Sequence, residues 1–188
     1  GIMANGCCGD VNNIDITRSR PEMPTPTFQA ERVANVLAGA AFSAWQGLRG
    51  YDYDRDPALR MVTEMAPFRR RQPSAEELER ARELAARPKP ADDSPELEAW
   101  VYAHEVLYVA EEPLERPMPI MAWRVGQLGA VGLPGEMFVQ YGLQIKQRSP
   151  FRHTMTIELA NDTGGYFPTD QAIAEGSYEL TLARSAKA

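Results

Sequence analysis

The side chains most able to do chemistry sit in three short stretches. The first reads Asn5-Gly-Cys-Cys-Gly-Asp-Val-Asn-Asn13. Its glycines, Gly6 and Gly9, let the backbone approach a ligand closely or take positive φ, and Asp10 can orient neighbouring backbone amides. Taken alone, a structural turn explains it as well. The second is Val131-Gly-Leu-Pro-Gly-Glu136, which reads as a strand running straight into a helix with a carboxylate at the helix start. The helix dipole stabilises such a carboxylate by typically about 0.3–1 kcal/mol, and strand-to-helix turns are where α/β folds place their sites. A helix-starting Glu with no ligand is the plainer alternative. The third is Asn161-Asp-Thr-Gly-Gly-Tyr-Phe-Pro-Thr169, where Tyr166 follows a glycine pair. That phenol can pack, donate a hydrogen bond or bind a metal, and packing is the commonest outcome.

The scarce residues limit this chemistry. There are only two histidines, His104 and His153, and two cysteines, adjacent at Cys7 and Cys8. The spacings of common zinc sites are absent, so most ligands of any metal must come from elsewhere. Neighbouring cysteines hardly bridge without severe strain, and no disulfide framework is implied. The formal charge of −6, from 20 Lys and Arg against 26 Asp and Glu, argues against a nucleic-acid partner. Arg69, Arg70 and Arg71 read as a solvated cluster. No signal-like start is visible, and the longest largely apolar stretch, residues 33–45, falls far below the roughly 20 residues that span a bilayer. No transmembrane segment is expected. A chain of 188 residues, 44% hydrophobic, can build one core without metal or disulfide staples.

The elements that must position these stretches follow from periodicity. Val33, Val36, Leu37, Ala40, Ala41, Ala44, Trp45 and Leu48 recur at helical spacing after Thr25 and Pro26, predicting a long amphipathic helix over about 26–49. Residues 59–68 suit a strand. Ser74 and Glu77 form a capping box that opens a charged helix to about Ala86. A second helix starts at Ser94-Pro95-Glu96, with His104 on its apolar stripe as a hydrogen-bonded core histidine. Strands over 118–125 and 128–133 join at Gly126-Gln127, a helix follows from Pro134 to about Arg148, and His153 to Leu159 forms a strand. An extended piece at Tyr166, a short helix and a strand over 178–182 complete an α/β reading, a mixed sheet flanked by helices.

Together, in order and chemistry, the three stretches resemble the catalytic domain of the neutral/alkaline non-lysosomal ceramidase family, particularly its shorter bacterial relatives. That family has a loop reading roughly Asn-x-Gly-Asp-Val-Ser-Pro-Asn with a serine assigned as catalytic, where this chain reads Cys8-Gly9-Asp10-Val11-Asn12-Asn13. Its Pro-Gly-Glu, whose carboxylate binds zinc, is matched by Pro134-Gly135-Glu136, and its Asn and Tyr ligand by Asn161 and Tyr166. Glu175-Gly-Ser-Tyr-Glu179 matches a later Tyr/Glu-Gly segment. The resemblance is close over about 3–16 and 131–180 and loose between them.

It implies a zinc-dependent hydrolase of N-acyl amide bonds, cleaving ceramide to sphingosine and a fatty acid, in sphingolipid metabolism. Glu136 and Tyr166 would be metal ligands, and Gly9, Asp10 and Asn12 would belong to the catalytic loop. The family's two histidine ligands lie upstream of that loop, before residue 1. Residues 1–188 are therefore expected to form either a single domain or the C-terminal portion of a larger ceramidase-like catalytic domain, without the family's immunoglobulin-like domain. The partners implied are the upstream half of the same domain and a small-molecule or lipid amide, in a secreted or periplasmic setting. Asn12 stands at the family serine and cannot be a nucleophile. It can donate to an oxyanion if metal-bound water attacks; if the serine is indispensable, the chain is a catalytically inactive binding or scaffold protein. A carbohydrate- or peptide-amide hydrolase with the same metal site is a third alternative.

Overall fold

The computed structural model describes residues 3–12, 27–176 and 178–186. Asn13, Thr25 and Pro26, invoked above for the first loop and the first helix, lie outside the described residues. The fold is mixed α/β. Helix α1 spans Phe28–Gly47, strand β1 Leu59–Arg69, α2 Ala75–Ala85 and α3 Leu97–Glu111. Then come β2 (Glu115–Val125), β3 (Leu128–Gly132), β4 (Glu136–Met137), α4 (Val139–Arg148), β5 (His153–Ile157), β6 (Tyr166–Phe167) and α5 (Asp170–Glu175).

The main sheet runs β1-β2-β3-β5, with β1 and β3 antiparallel to β2 and β5 parallel to β3. The β2–β3 hairpin turns at Gly126, whose φ of 57° needs a residue without Cβ strain. A parallel pair needs a crossover, and α4 supplies it, packing against β5. A second, two-stranded sheet pairs β4 with β6 in parallel. Buried Cys7, Leu133 and Met137 gather Ile120, Val131, Tyr141, Ile145 and Phe167 into the core between the two sheets' ends and α4. Among the described residues no helix is long and apolar enough to cross a membrane.

Local signals held where partners are close in sequence. The Ser74 side chain accepts from Glu77 N–H at 3.1 Å while Glu77 accepts from Ser74 N–H at 2.7 Å, so α2 starts at the expected capping box. The structure corrects other expectations. Residues 134–148 are not one helix: Glu136 lies in β4, because its N–H donates to Gly165 O at 2.9 Å, and helical structure starts only at Val139. The carboxylate therefore owes nothing to a helix dipole. Residues 178–182 are not a strand. Thr181 N–H donates back to Tyr178 O at 3.0 Å, closing a 3₁₀ turn over Tyr178–Leu180, and isolated bridges of Ala186 to Ala183 and to Gly165 follow.

His104 is not hydrogen-bonded as expected. It stacks on Trp100 with ring centres 4.2 Å apart, and among the described residues its buried Nε2 finds no partner. The arginine cluster is more than solvated charge: Arg70 pairs with Glu112, and Arg71 donates to Leu180 O at 2.6 Å. The apolar stripe of α1 covers nothing among the described residues, with no buried residue in the helix and Trp45 64% exposed.

Candidate functional site

The Gly-rich loop, the Pro-Gly-Glu turn and the Tyr166 segment meet at one end of the fold. The loop comes first in the chain and is threaded between β4 and the end of β5. Glu158 N–H donates to Asn5 O at 3.0 Å, and Gly9 N–H donates to Met137 O at 2.9 Å. Gly9 has to be a glycine here, since a Cβ on it would lie 2.5 Å from Glu136 O. Cys7 points into the core, 7% exposed, while Cys8 turns the other way toward Glu158.

Asp10 orients a backbone amide, as its type suggested, but on a distant element. Its Oδ1 accepts from Val139 N–H at 2.6 Å, so it supplies the cap that α4 lacks at Phe138. Asp10→Ala is expected to cost about 1 kcal/mol and to loosen the loop's hold on α4. A denaturant melt of the variant checks this; an unchanged midpoint would leave the cap without a stabilising role.

Glu136 and Tyr166 are Cα partners in the parallel β4–β6 pair. In a sheet such partners project on the same face. The Tyr166 phenol lies beside the Glu136 carboxylate and Tyr178, whose ring meets it edge-on at 6.3 Å. Burial first, and then the Glu136 carboxylate, push the Tyr166 phenol above its ordinary range. It therefore stays protonated. The turn holding the pair is crowded: Cβ atoms at Gly135 and Gly165 would lie 2.4 Å from the Phe167 ring and 2.6 Å from Ser185 O respectively, and Gly165 has φ 84°. Tyr166 N–H donates to Ser185 O at 2.7 Å, fastening β6 from its other side.

Glu158, which carries no sequence signal beyond its place at the end of a β-branched strand, belongs to this site. It is 7% exposed and accepts twice from Cys8, from N–H at 3.1 Å and from the thiol at 2.7 Å. The strand cannot continue past it: Leu159 has φ 51° and Asn161 φ 68°, left-handed positions that turn the chain back toward β6. Asn12 is exposed, three positions beyond Gly9. The structure thus brings together Gly9, Asp10, Glu136 and Tyr166, while Asn12 sits at the exposed end of the same loop.

The thiol has no nucleophilic character in this setting. Burial, the Glu158 hydrogen bond and the Glu158 charge push Cys8 up to about 12, and burial raises Cys7 as well. A raised value keeps a thiol protonated and unreactive at pH 8. Iodoacetamide is accordingly expected to label neither cysteine of the folded chain at pH 8 and both in guanidinium. Glu158→Gln, which removes the charge, is expected to speed labelling of Cys8; equal rates in the two proteins would contradict this arrangement.

Carboxylate and phenol oxygens side by side suit a hard or borderline cation, although among the described residues no group of three or more His, Cys, Asp and Glu is placed to hold one. Two donors fit half of a four-ligand site. No family model matches the chain, and no curated protein matches it. Solved structures that match include a neutral ceramidase from Pseudomonas aeruginosa, 27% identical over 38% of this chain, with TM-score 0.32. A ceramidase complexed with C2 matches 40% of this chain at the same identity and TM-score. The matched part spans 12% of each of those chains. At that TM-score the superposition carries no argument, and any function must rest on the residues themselves.

Proposed function

We propose that this chain supplies Glu136 and Tyr166 to the zinc centre of a ceramidase-like hydrolase acting on N-acyl amide bonds. The observation that carries the reading is the β4–β6 register. It sets the carboxylate and the phenol of two separate motifs side by side, with the Gly9 loop hydrogen-bonded to the next residue of β4. Two further ligands would come from the upstream half of the same domain. When bound, zinc would polarise the amide carbonyl and lower the pKa of water.

The chain's own residues do the rest. The Gly9 N–H and the Asp10 carboxylate hold the loop against β4 and α4, which would leave Asn12 near the mouth of the site without a reacting group of its own. The Asn12 side-chain amide is a neutral donor, suited to hydrogen-bonding a carbonyl oxygen as it gains negative charge. Tyr178 braces the Tyr166 ring from its edge. The substrate class follows from the resemblance: ceramide, or a simpler N-acyl amino compound.

Asn12 also supports a second reading, a ceramidase-like binding or scaffold protein without turnover. The two separate in one assay. The protein with its upstream half, loaded with zinc, is incubated with ceramide and with N-acyl amino acids, with and without a chelator. Chelator-sensitive release of the amine supports the hydrolase. No turnover at full zinc occupancy supports the scaffold and overturns the hydrolase.

A further inference from the structure

Strand β1 lies at the free edge of the main sheet, and among the described residues no strand pairs with its outer side. Two bonds flanking it fix which groups face outward. Gly126 N–H donates to Ala58 O at 2.9 Å and Arg70 N–H donates to Leu114 O at 2.9 Å, and the register between them is continuous from Leu59↔Val125 to Arg69↔Glu115. In an antiparallel pair, residues that bond to the partner alternate with residues whose N–H and C=O point away. The even positions of β1 therefore face β2, and Leu59, Met61, Thr63 and Met65 present unpaired backbone groups to solvent. Pro67, which has no N–H, falls at an outward position too, where it costs no bond to β2.

Natural edges are usually blunted by brevity, bulges or dense charge. This one is 11 residues long without a bulge, and its Leu59, Met61, Val62 and Met65 are 69%, 70%, 62% and 56% exposed. We propose that β1 pairs antiparallel with β1 of a second copy of this chain, about a two-fold axis at Val62. That register sets Arg60 opposite Glu64 of the second copy, twice by symmetry, and Leu59 opposite Met65, with Met61 opposite Thr63. The outward residues then exchange roughly eight ladder hydrogen bonds, none of which needs the missing N–H of Pro67.

The charges select this register over its neighbours. An axis at Thr63 puts Val62 against Glu64 and requires an N–H from Pro67. An axis at Met61 leaves Arg60 opposite Val62 and Glu64 opposite Ala58. Axes at Arg60 or at Glu64 oppose like charges, which destabilises a sheet. Within the chain, Arg60 already lies across from Arg124, so a carboxylate on its free side also offsets that repulsion. The product is an isologous dimer whose sheets join into one, four strands from each copy. It takes nothing from Glu136 or Tyr166, and an upstream half that covered β1 would compete with it, so loss of the dimer when that half is added also overturns the proposal.

Sedimentation of the 188-residue chain tests it. The wild type is expected to run at twice its 20.9 kDa mass in the micromolar range. Arg60→Glu or Glu64→Arg alone is expected to raise the dissociation constant by roughly tenfold or more, and the two together to restore it. Both side chains are exposed, so neither change endangers the fold. Val62→Cys, on the axis where partner Cα atoms of a non-hydrogen-bonded pair lie about 4.5 Å apart, is expected to cross-link the dimer on oxidation, and Thr63→Cys is not. A wild type that stays monomeric, a dimer indifferent to the single charge swaps, or equal cross-linking of the two cysteine variants overturns the proposal.

Discussion

Replacing Glu136 with Ala is expected to lower zinc-dependent amide hydrolysis by the protein with its upstream half on the order of a thousandfold. The size follows from the role proposed: a first ligand and the strand partner that faces a second are lost together. Without the carboxylate, the Tyr166 phenol keeps its contact with Tyr178 but loses the charged group facing it from β4. The side chain of Glu136 carries little of the fold, because β4 is held by backbone bonds to Gly165 and Phe167 at 2.9 and 3.3 Å. Turnover should therefore collapse while the melting temperature stays within a degree or two of wild type, roughly the effect of a surface change. Kinetics with saturating zinc, beside a thermal melt, checks both halves. A variant retaining a tenth or more of wild-type activity would remove Glu136 from the centre.

Adding a single methyl group at Gly9 or Gly165 is expected to do the reverse, disturbing the fold first. At Gly9 a Cβ would meet Glu136 O at 2.5 Å and Met137 C at 3.2 Å, backbone atoms that cannot swing aside as a side chain would. At Gly165 it would meet Ser185 O at 2.6 Å at a φ of 84° that L-residues rarely adopt. Either β4 separates from the loop, or β6 separates from the C-terminal turn. Overpacking of this kind costs about 1–3 kcal/mol, and the left-handed backbone at Gly165 adds roughly 1 kcal/mol. A melting temperature lower by roughly 4–12 °C is expected for Gly165→Ala and somewhat less for Gly9→Ala. Gly39→Ala in α1, where a Cβ meets nothing within 4 Å, is the control and should be neutral or slightly stabilising. A Gly165→Ala protein as stable as that control would show that the close approach can relax freely.

The amino-acid order alone specified those features whose physics is complete within a few residues. The capping box at Ser74 and Glu77, the hairpin at Gly126 and the strands on either side of it need only local hydrogen bonds and alternating burial. The three motif stretches were legible by residue type, as was the shortage of histidine. Other features depended on contacts across the chain. Glu136 left the expected helix because β6 offered it a parallel partner, and Asp10 capped a helix that starts 129 positions later. Glu158 joined the site through a hydrogen bond to Cys8 across 150 positions. The helical stripe of α1 was read correctly as a pattern, but a pattern does not say what covers it, and among the described residues nothing does. Periodicity and capping are short-range energies that a sequence displays directly. Which carboxylate is buried, and which donor reaches it, is decided by distances that exist only once the strands have paired.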